Sequence, residues 1–160
     1  MPHEVAFGGE IVRNLIIVPA LVLLFTAAPA WAEIGRIKSH VGEVLVVRKG
    51  AAVAAAPGLK LEQGDIVKTG KDGRVGIAFL DNTRMALGPS SRITLDEFSY
   101  DRSRQTGSFV TSVNRGSLGV VSGNIAKSKR DAMRVRTPTS MLGVRGTKFV
   151  VEVKGRGSDK

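Results

Sequence analysis

Residues 73–87 read GRVGIAFLDNTRMAL, and their pattern of apolar residues is the strongest indication of the fold class. Apolar side chains alternate with small or polar ones over residues 75–79, so a strand turns every second side chain to one core face. The tripeptide Asp81-Asn82-Thr83 then predicts a turn, because aspartate and asparagine favour turn conformations. Met85 and Leu87 resume the alternation. The stretch therefore predicts two successive strands with their apolar side chains in a core.

The same pattern of short apolar runs between turn residues continues in both directions along the chain. It predicts strands at residues 41–48, 66–69, 75–79, 85–87, 93–95, 109–113, 117–121, 133–137 and 149–153. The dipeptide Asp72-Gly73 predicts a hairpin, since it tolerates the positive φ angles of tight turns. Residues 51–58 (AAVAAAPG) are predicted to be a loop or a weak edge strand.

Helical periodicity is missing from residue 34 onward, and polar stretches separate the strands instead. Residues 101–107 are predicted to be an exposed loop, and residues 126–131 a charged connection. We therefore expect an all-β single domain of many short strands, in a sandwich-like, barrel or β-solenoid-like wrap.

The first thirty-two residues have the features of a signal peptide. Residues 15–28 (LIIVPALVLLFTAA) form an apolar run after a single arginine, and Ala30 and Ala32 match the small residues that signal peptidase requires. Cleavage after Ala32 is predicted; the alternative is an uncleaved membrane anchor. Acidic residues within residues 1–11 are unusual for a leader and favour a start codon assigned too early. A domain over residues 33–154 and a disordered basic tail over residues 155–160 follow.

Composition and charge limit the classes of partner. The chain has 160 residues, a net charge of +10 and no cysteine, so disulfides and thiolate metal sites are excluded. A strongly basic surface suits anionic partners. Export removes nucleic acid from the candidates and favours acidic polymers of the cell envelope, and the membrane is met only transiently through the signal peptide.

An ordered series of blocks resembles the FecR domain over roughly residues 36–153. The blocks are GEVLVVR (42–48), LEQGDIVKTG (61–70), GRVGIAFLD (73–81), LGPSS (87–91), Thr137-Pro138-Thr139 and GVRGT (143–147). The resemblance implies an extracytoplasmic all-β domain. In the regulator that names the family, this domain relays a signal from an outer-membrane transporter to a sigma factor, through an anti-sigma segment before a transmembrane helix.

This chain departs from that family pattern at its N-terminus. Only a short segment precedes its apolar run, and that run has a cleavage site. The resemblance therefore implies a stand-alone periplasmic FecR-domain module that does not itself contact a sigma factor.

Residue types that perform catalysis are scarce. His40 is the one histidine after the leader, and nothing near it in the sequence sets up a nucleophile and an acid. The aspartates stand at turn positions, where they have a local reason to occur. We predict a protein that is not an enzyme and that needs neither a cofactor nor a metal.

Basic residues concentrate at one place in the chain. The cluster consists of Lys127, Lys129, Arg130, Arg134 and Arg136. It is a candidate site for an anionic polymer or for lipid phosphates. The alternative is a solvated face that protects strand edges from aggregation.

The last block supplies a second group of candidate residues with a structural role. They are Thr137, Pro138, Gly143, Arg145, Gly146 and Thr147. Pro138 is expected to end a strand, and Gly143 and Gly146 to permit a close turn. Arg145 lies among glycines and Val144, so we expect its guanidinium to satisfy buried carbonyls as a structural plug, with a ligand contact as the alternative.

Two functions remain open on the sequence alone. One is an interaction or signalling module for an envelope protein (a transporter, a sensor or a complex), docked through a β-edge or another surface. The other is a binding or scaffolding accessory for a glycan or an anionic envelope polymer.

Overall fold

The computed structural model describes residues 32–146 and 148–155. These residues form twelve strands and one short helix. The strands are β1 (Glu33–Val41), β2 (Val44–Arg48), β3 (Ala51–Ala54), β4 (Lys60–Glu62), β5 (Ile66–Thr69), β6 (Arg74–Phe79), β7 (Arg84–Leu87), β8 (Arg92–Asp101), β9 (Thr106–Val121), β10 (Met133–Arg136), β11 (Met141–Val144) and β12 (Lys148–Val153), and the helix is α1 (Asn124–Ser128). The leader up to residue 31, Thr147 and most of the predicted basic tail lie outside the described residues.

All twelve strands belong to one curled sheet that forms a half-barrel. The main path runs β3-β2-β5-β8-β9-β7-β6-β1-β4, with β10 and β12 also paired to β9 and with β11 paired to β10. The pairs are antiparallel, except that β10 runs parallel to β9. The prediction of an all-β single domain is confirmed.

Strand β9 connects the two halves of the sheet. Its first part pairs with β8 and β10, and its last part, from residue 116, pairs with β7 and β12. Gly116 lies between the parts at φ +84°, and a Cβ there would stand 2.5 Å from Cα of Ser91. Residues 109–113 and 117–121 are thus parts of one strand with a glycine bend, and the expectation of two separate strands is wrong.

The core fills the space between the two halves. Val75, Ile77 and Phe79 of β6 are at most 5% exposed. Phe79 belongs to one half, and Phe98 and Phe109 belong to the other. The ring centroid of Phe79 lies 4.7 Å from that of Phe109 and 5.9 Å from that of Phe98. Aromatic contacts therefore join the two halves across the core.

Two local predictions are wrong. Asp72-Gly73 does not form a hairpin, because β5 pairs with β2 and β8 whereas β6 pairs with β1 and β7. The turn instead carries the chain from one half of the sheet to the other, and a Cβ on Gly73 would collide with the carbonyl oxygen of Glu43. The connection that starts at residue 126 overlaps α1, where Ile125 and Ala126 are fully buried.

Two other predictions are confirmed. Residues 81–83 turn between the paired strands β6 and β7, with Asn82 at φ +68°. Residues 51–54 form β3, an exposed strand at one end of the sheet. Among the described residues, no helix is long and apolar enough to cross a membrane.

Candidate functional site

The predicted basic cluster is divided among three elements at one end of the domain. Lys127 lies in the last turn of the helix α1, and Lys129 and Arg130 lie in the link to β10; all three are exposed. Arg134 and Arg136 lie on the outer face of β10, because the alternate residues Met133 and Val135 are fully buried. Within the described part of the chain, none of the five cations forms an ion pair.

Arg134 is the one member of the cluster that is partly buried. Its Nε is buried and has no acceptor among the residues described. On one side lies Val110 of β9, only 4% exposed, and on the other Gly143 of β11. A buried donor without a partner is unfavourable, so this guanidinium is suited to receive an anionic group.

Strand β11 presents a free edge beside these cations. Within the described residues it pairs only with β10, and Met141 and Leu142 are 52% and 43% exposed. The N–H of Thr137 donates to the carbonyl of Ser140 at 2.8 Å, so these two residues form a hydrogen-bonded pair of the antiparallel ladder. Hydrogen-bonded and non-hydrogen-bonded pairs alternate along such a ladder, and Met141 and Gly143 belong to non-hydrogen-bonded pairs. The backbone groups of Met141 and Gly143 therefore point away from β10, toward the free side.

The motif residues Thr137 and Pro138 lie in the turn between β10 and β11. The N–H of Ser140 donates to Oγ1 of Thr137 at 3.0 Å, which closes the turn. Pro138 is exposed, and the turn lines a cleft of about 410 Å³ together with Asn114 and Glu152. The strand ends before the proline, at Arg136.

The two motif glycines have different surroundings. Gly143 lies within β11 and not in a turn; a Cβ there would collide with Oδ1 of Asp131. Gly146 is a turn residue, at φ +58°. The prediction that both glycines permit a close turn is therefore wrong for Gly143.

Arg145 is exposed, so the expectation of a buried structural plug is wrong. Val144, the residue before it, is only 7% exposed, and the alternation of a strand turns the next side chain outward. A Cβ on Gly146 would stand 3.7 Å from Cγ of Lys127. Arg145 consequently lies beside the basic cluster and adds to its charge.

The arginine that does close a gap between strands is Arg48, at the opposite end of the sheet. Its Nε and Nη2 donate to the carboxylate of Asp65 at 2.9 and 2.7 Å, and its Nη1 donates to Glu62 at 2.9 Å. Nη2 also donates to the carbonyl of Lys60 at 2.8 Å. The hydrogen bonds that Arg48 donates to the Asp65 carboxylate raise the pKa of Arg48. Gly64-Asp65 indicated only a turn, so the sequence did not reveal this long-range contact.

Catalytic groups are not brought together in the described residues. His40 is exposed, and no three acidic or histidine side chains there are placed to hold a metal ion. Asp81 is fully buried but engaged: it accepts hydrogen bonds from the N–H and hydroxyl of Thr83 and from the N–H of Ile125.

Comparison with known proteins gives one match. A protein-family model described as FecR protein matches residues 65–159, more than half of the chain. No curated protein and no solved structure matches. The matched segment begins at Asp65 and includes the whole basic cluster, the free edge of β11 and the last two motif blocks, residues 137–139 and 143–147.

Proposed function

The chain belongs to the FecR protein family, and we propose that it is a non-enzymatic periplasmic module that docks an extended acidic segment of an envelope protein on the free edge of β11. The family consists of signalling and regulatory domains rather than enzymes. Its domains are periplasmic, and its members act in envelope signalling with membrane- or transporter-associated partners.

The observation that carries this proposal is the backbone edge at Met141 and Gly143, with which no other strand of residues 32–146 and 148–155 pairs. An extended segment adds to such an edge as another strand, and its backbone hydrogen bonds supply affinity. The edge offers a donor and an acceptor from each of the two residues. Met141 and Leu142, on opposite faces of β11, add apolar contact beside this edge.

The cations beside the edge indicate the charge of the segment. Arg136 stands opposite Met141, and Arg134 opposite Gly143. Acidic side chains of a docked strand would lie within reach of both guanidiniums, and Arg134 Nε would gain the acceptor it lacks. The surface therefore suits a segment in which acidic and apolar residues alternate.

A glycan or anionic envelope polymer is the second candidate. Lys127, Lys129, Arg130 and Arg145 are exposed and have no ion pair with the described residues, so their charge is available to a polyanion. Ionic strength separates the two candidates. Polymer binding weakens steeply with added salt, whereas strand addition keeps its backbone hydrogen bonds and apolar contacts and weakens less.

The test compares the same substitution on two free edges. Met141→Pro removes an N–H on the free side of β11, and Ala54→Pro makes the matched change on the edge strand β3. A photo-reactive side chain at position 142 is used to crosslink the bound envelope protein in cells. We expect Met141→Pro to abolish the crosslink and Ala54→Pro to retain it. A crosslink that survives Met141→Pro contradicts docking at this edge.

Charge reversal at Lys127, Lys129 and Arg130 tests the polymer candidate. The quantity measured is retention of the protein on envelope preparations. Retention that is lost on charge reversal and in high salt, but is unchanged in Met141→Pro, favours the polymer. Export through a leader ending at Ala32 stays a prediction, and N-terminal sequencing of the mature protein checks it.

A further inference from the structure

Three cations stand directly opposite one another across the outer face of the sheet. Lys68 of β5 pairs in register with Arg92 of β8, and Arg92 pairs with Arg115 of β9. None of the three belongs to the basic cluster described above. They are far apart in the sequence, and only strand pairing brings them into one row.

The side chains of the row point to the same side of the sheet. Val67 and Ile93, the neighbours of Lys68 and Arg92, are fully buried, so the two cations face outward and are themselves half-buried. The register shifts between Arg92 and Ile93.

The shift is caused by one extra residue in β9. Arg92 stands opposite Arg115 and Ile93 opposite Val113, so Asn114 is inserted between the two pairs. A bulge of this kind re-aims side chains and is frequent at binding sites. Asn114, Arg115, Lys68 and Arg92 together line a depression of about 330 Å³.

The direct pairing of Lys68 with Arg92 is electrostatically unfavourable without a counter-ion. Like charges placed directly opposite on neighbouring strands destabilise a sheet. Lys68 and Arg92 have neither an ion pair nor a side-chain hydrogen bond with any described residue. Arg115, which already has a partner in the domain, places a second guanidinium in the same row.

We propose that the row of Lys68, Arg92 and Arg115, with the amide of Asn114, binds a phosphate group. Tetrahedral phosphate accepts several hydrogen bonds at once, and guanidiniums match its geometry with two donors each. Its negative charge offsets the repulsion between Lys68 and Arg92. The site is separate from the edge of β11, so it stands even if docking at that edge fails.

Phosphate chemistry has two sources at this location, a free phosphate and the headgroup of an anionic phospholipid. Inorganic phosphate tests the first source, in calorimetric titrations and thermal melts of the full chain at low ionic strength. Vesicles of phosphatidylglycerol and phosphatidylcholine, with pure phosphatidylcholine as reference, test the second by co-sedimentation. Binding in either arm supports the site only where it depends on the row.

Arg92→Gln and Lys68→Gln are the test variants, and Arg84→Gln, at an exposed arginine of β7, is the matched control. We expect phosphate to raise the melting temperature of the wild type by roughly 2 to 4 °C at saturating concentration. Arg92→Gln weakens phosphate or vesicle binding about tenfold or more, whereas Arg84→Gln leaves it unchanged.

The stability of the unliganded variants separates binding from a structural role. In phosphate-free buffer at low salt, Arg92→Gln and Lys68→Gln melt no lower than the wild type, because one repelling charge is gone. A structural role predicts a lower melting temperature for both. Phosphate and vesicle binding that is equal in wild type, Arg92→Gln and Lys68→Gln overturns the proposal.

Discussion

Arg48 and Asp65 form a two-pronged ion pair that fastens β2 to the turn between β4 and β5. Nε and Nη2 of Arg48 lie 2.9 and 2.7 Å from the two carboxylate oxygens of Asp65. The Asp65 side chain is only 1% exposed, and it also accepts the N–H of Glu62 at 2.8 Å. Its charge is therefore compensated inside the domain and depends on one guanidinium.

We predict that Arg48→Lys destabilises the domain by about 2 to 3 kcal/mol. Lysine keeps the charge but cannot donate to both carboxylate oxygens and to the carbonyl of Lys60 in the planar geometry of a guanidinium. Urea unfolding measures the change. In a double-mutant cycle with Asp65→Asn, the two losses should be strongly non-additive.

Arg145→Lys supplies the contrast, because Arg145 is exposed and has no described partner. We expect the free energy of unfolding to change by less than about 0.5 kcal/mol. A larger loss for Arg145→Lys than for Arg48→Lys would show that the roles of the two arginines have been assigned the wrong way round.

Strands were predictable from the sequence where one face of the sheet is buried. In residues 75–79 and 85–87 apolar side chains occur at every second position, and this period identifies the buried face of a strand. Strand partners were not predictable, because pairing depends on contacts between distant residues. Asp72-Gly73 has the chemistry of a hairpin turn, but Val75 pairs with His40 and Leu87 rather than with β5.

The candidate site was predictable to the extent that its residues are neighbours in the chain. The cluster from Lys127 to Arg136 is visible in the sequence, whereas the row of Lys68, Arg92 and Arg115 exists only in the register of three strands. Near Arg145, Gly146 indicated a turn correctly, whereas Gly143 lies within β11. Neither glycine indicated the direction of the Arg145 side chain, which depends on the burial of Val144.

The bend in β9 depends on a glycine without a side chain. Gly116→Ala should destabilise the domain by about 2 kcal/mol or more, because φ is +84° and the added Cβ would stand 2.5 Å from Cα of Ser91. Gly119→Ala in the same strand is the control: its nearest atom is the carbonyl oxygen of Ala86 at 3.8 Å. Thermal unfolding of both variants checks the prediction, and equal stabilities would contradict it.

Asp81 connects the β6–β7 turn to the start of α1. It accepts the N–H and the hydroxyl of Thr83 at 3.0 and 2.7 Å and the N–H of Ile125 at 3.3 Å. Asp81→Asn keeps the shape but replaces an acceptor with a donor, so we predict a loss of about 1 to 3 kcal/mol in chemical denaturation. Asp101→Asn, which affects an exposed turn, should have a much smaller effect. Similar losses at both positions would show that burial of the carboxylate is not the cause.

Glu33 should make one contribution to stability depend on pH. Hydrogen bonding from Arg36, with Nη2 2.5 Å from Oε1, lowers the pKa of Glu33 below its ordinary value of 4.5, and Lys60 acts in the same direction. A carboxyl group whose pKa is lower in the folded state stabilises the fold above its unfolded pKa. That contribution disappears as the pH falls through the folded pKa.

Glu33→Gln is therefore expected to be less stable than the wild type at neutral pH, and the difference should vanish in acid. Added salt should shrink it at neutral pH as well, because the ion pairs with Arg36 and Lys60 are exposed to solvent. Urea midpoints across the acid range measure the difference. Glu97→Gln, at an exposed glutamate of β8 without a described ion pair, is the matched control and should show no such pH dependence. A difference between wild type and Glu33→Gln that stays constant into acid would mean that the contacts of Glu33 do not stabilise its charged form.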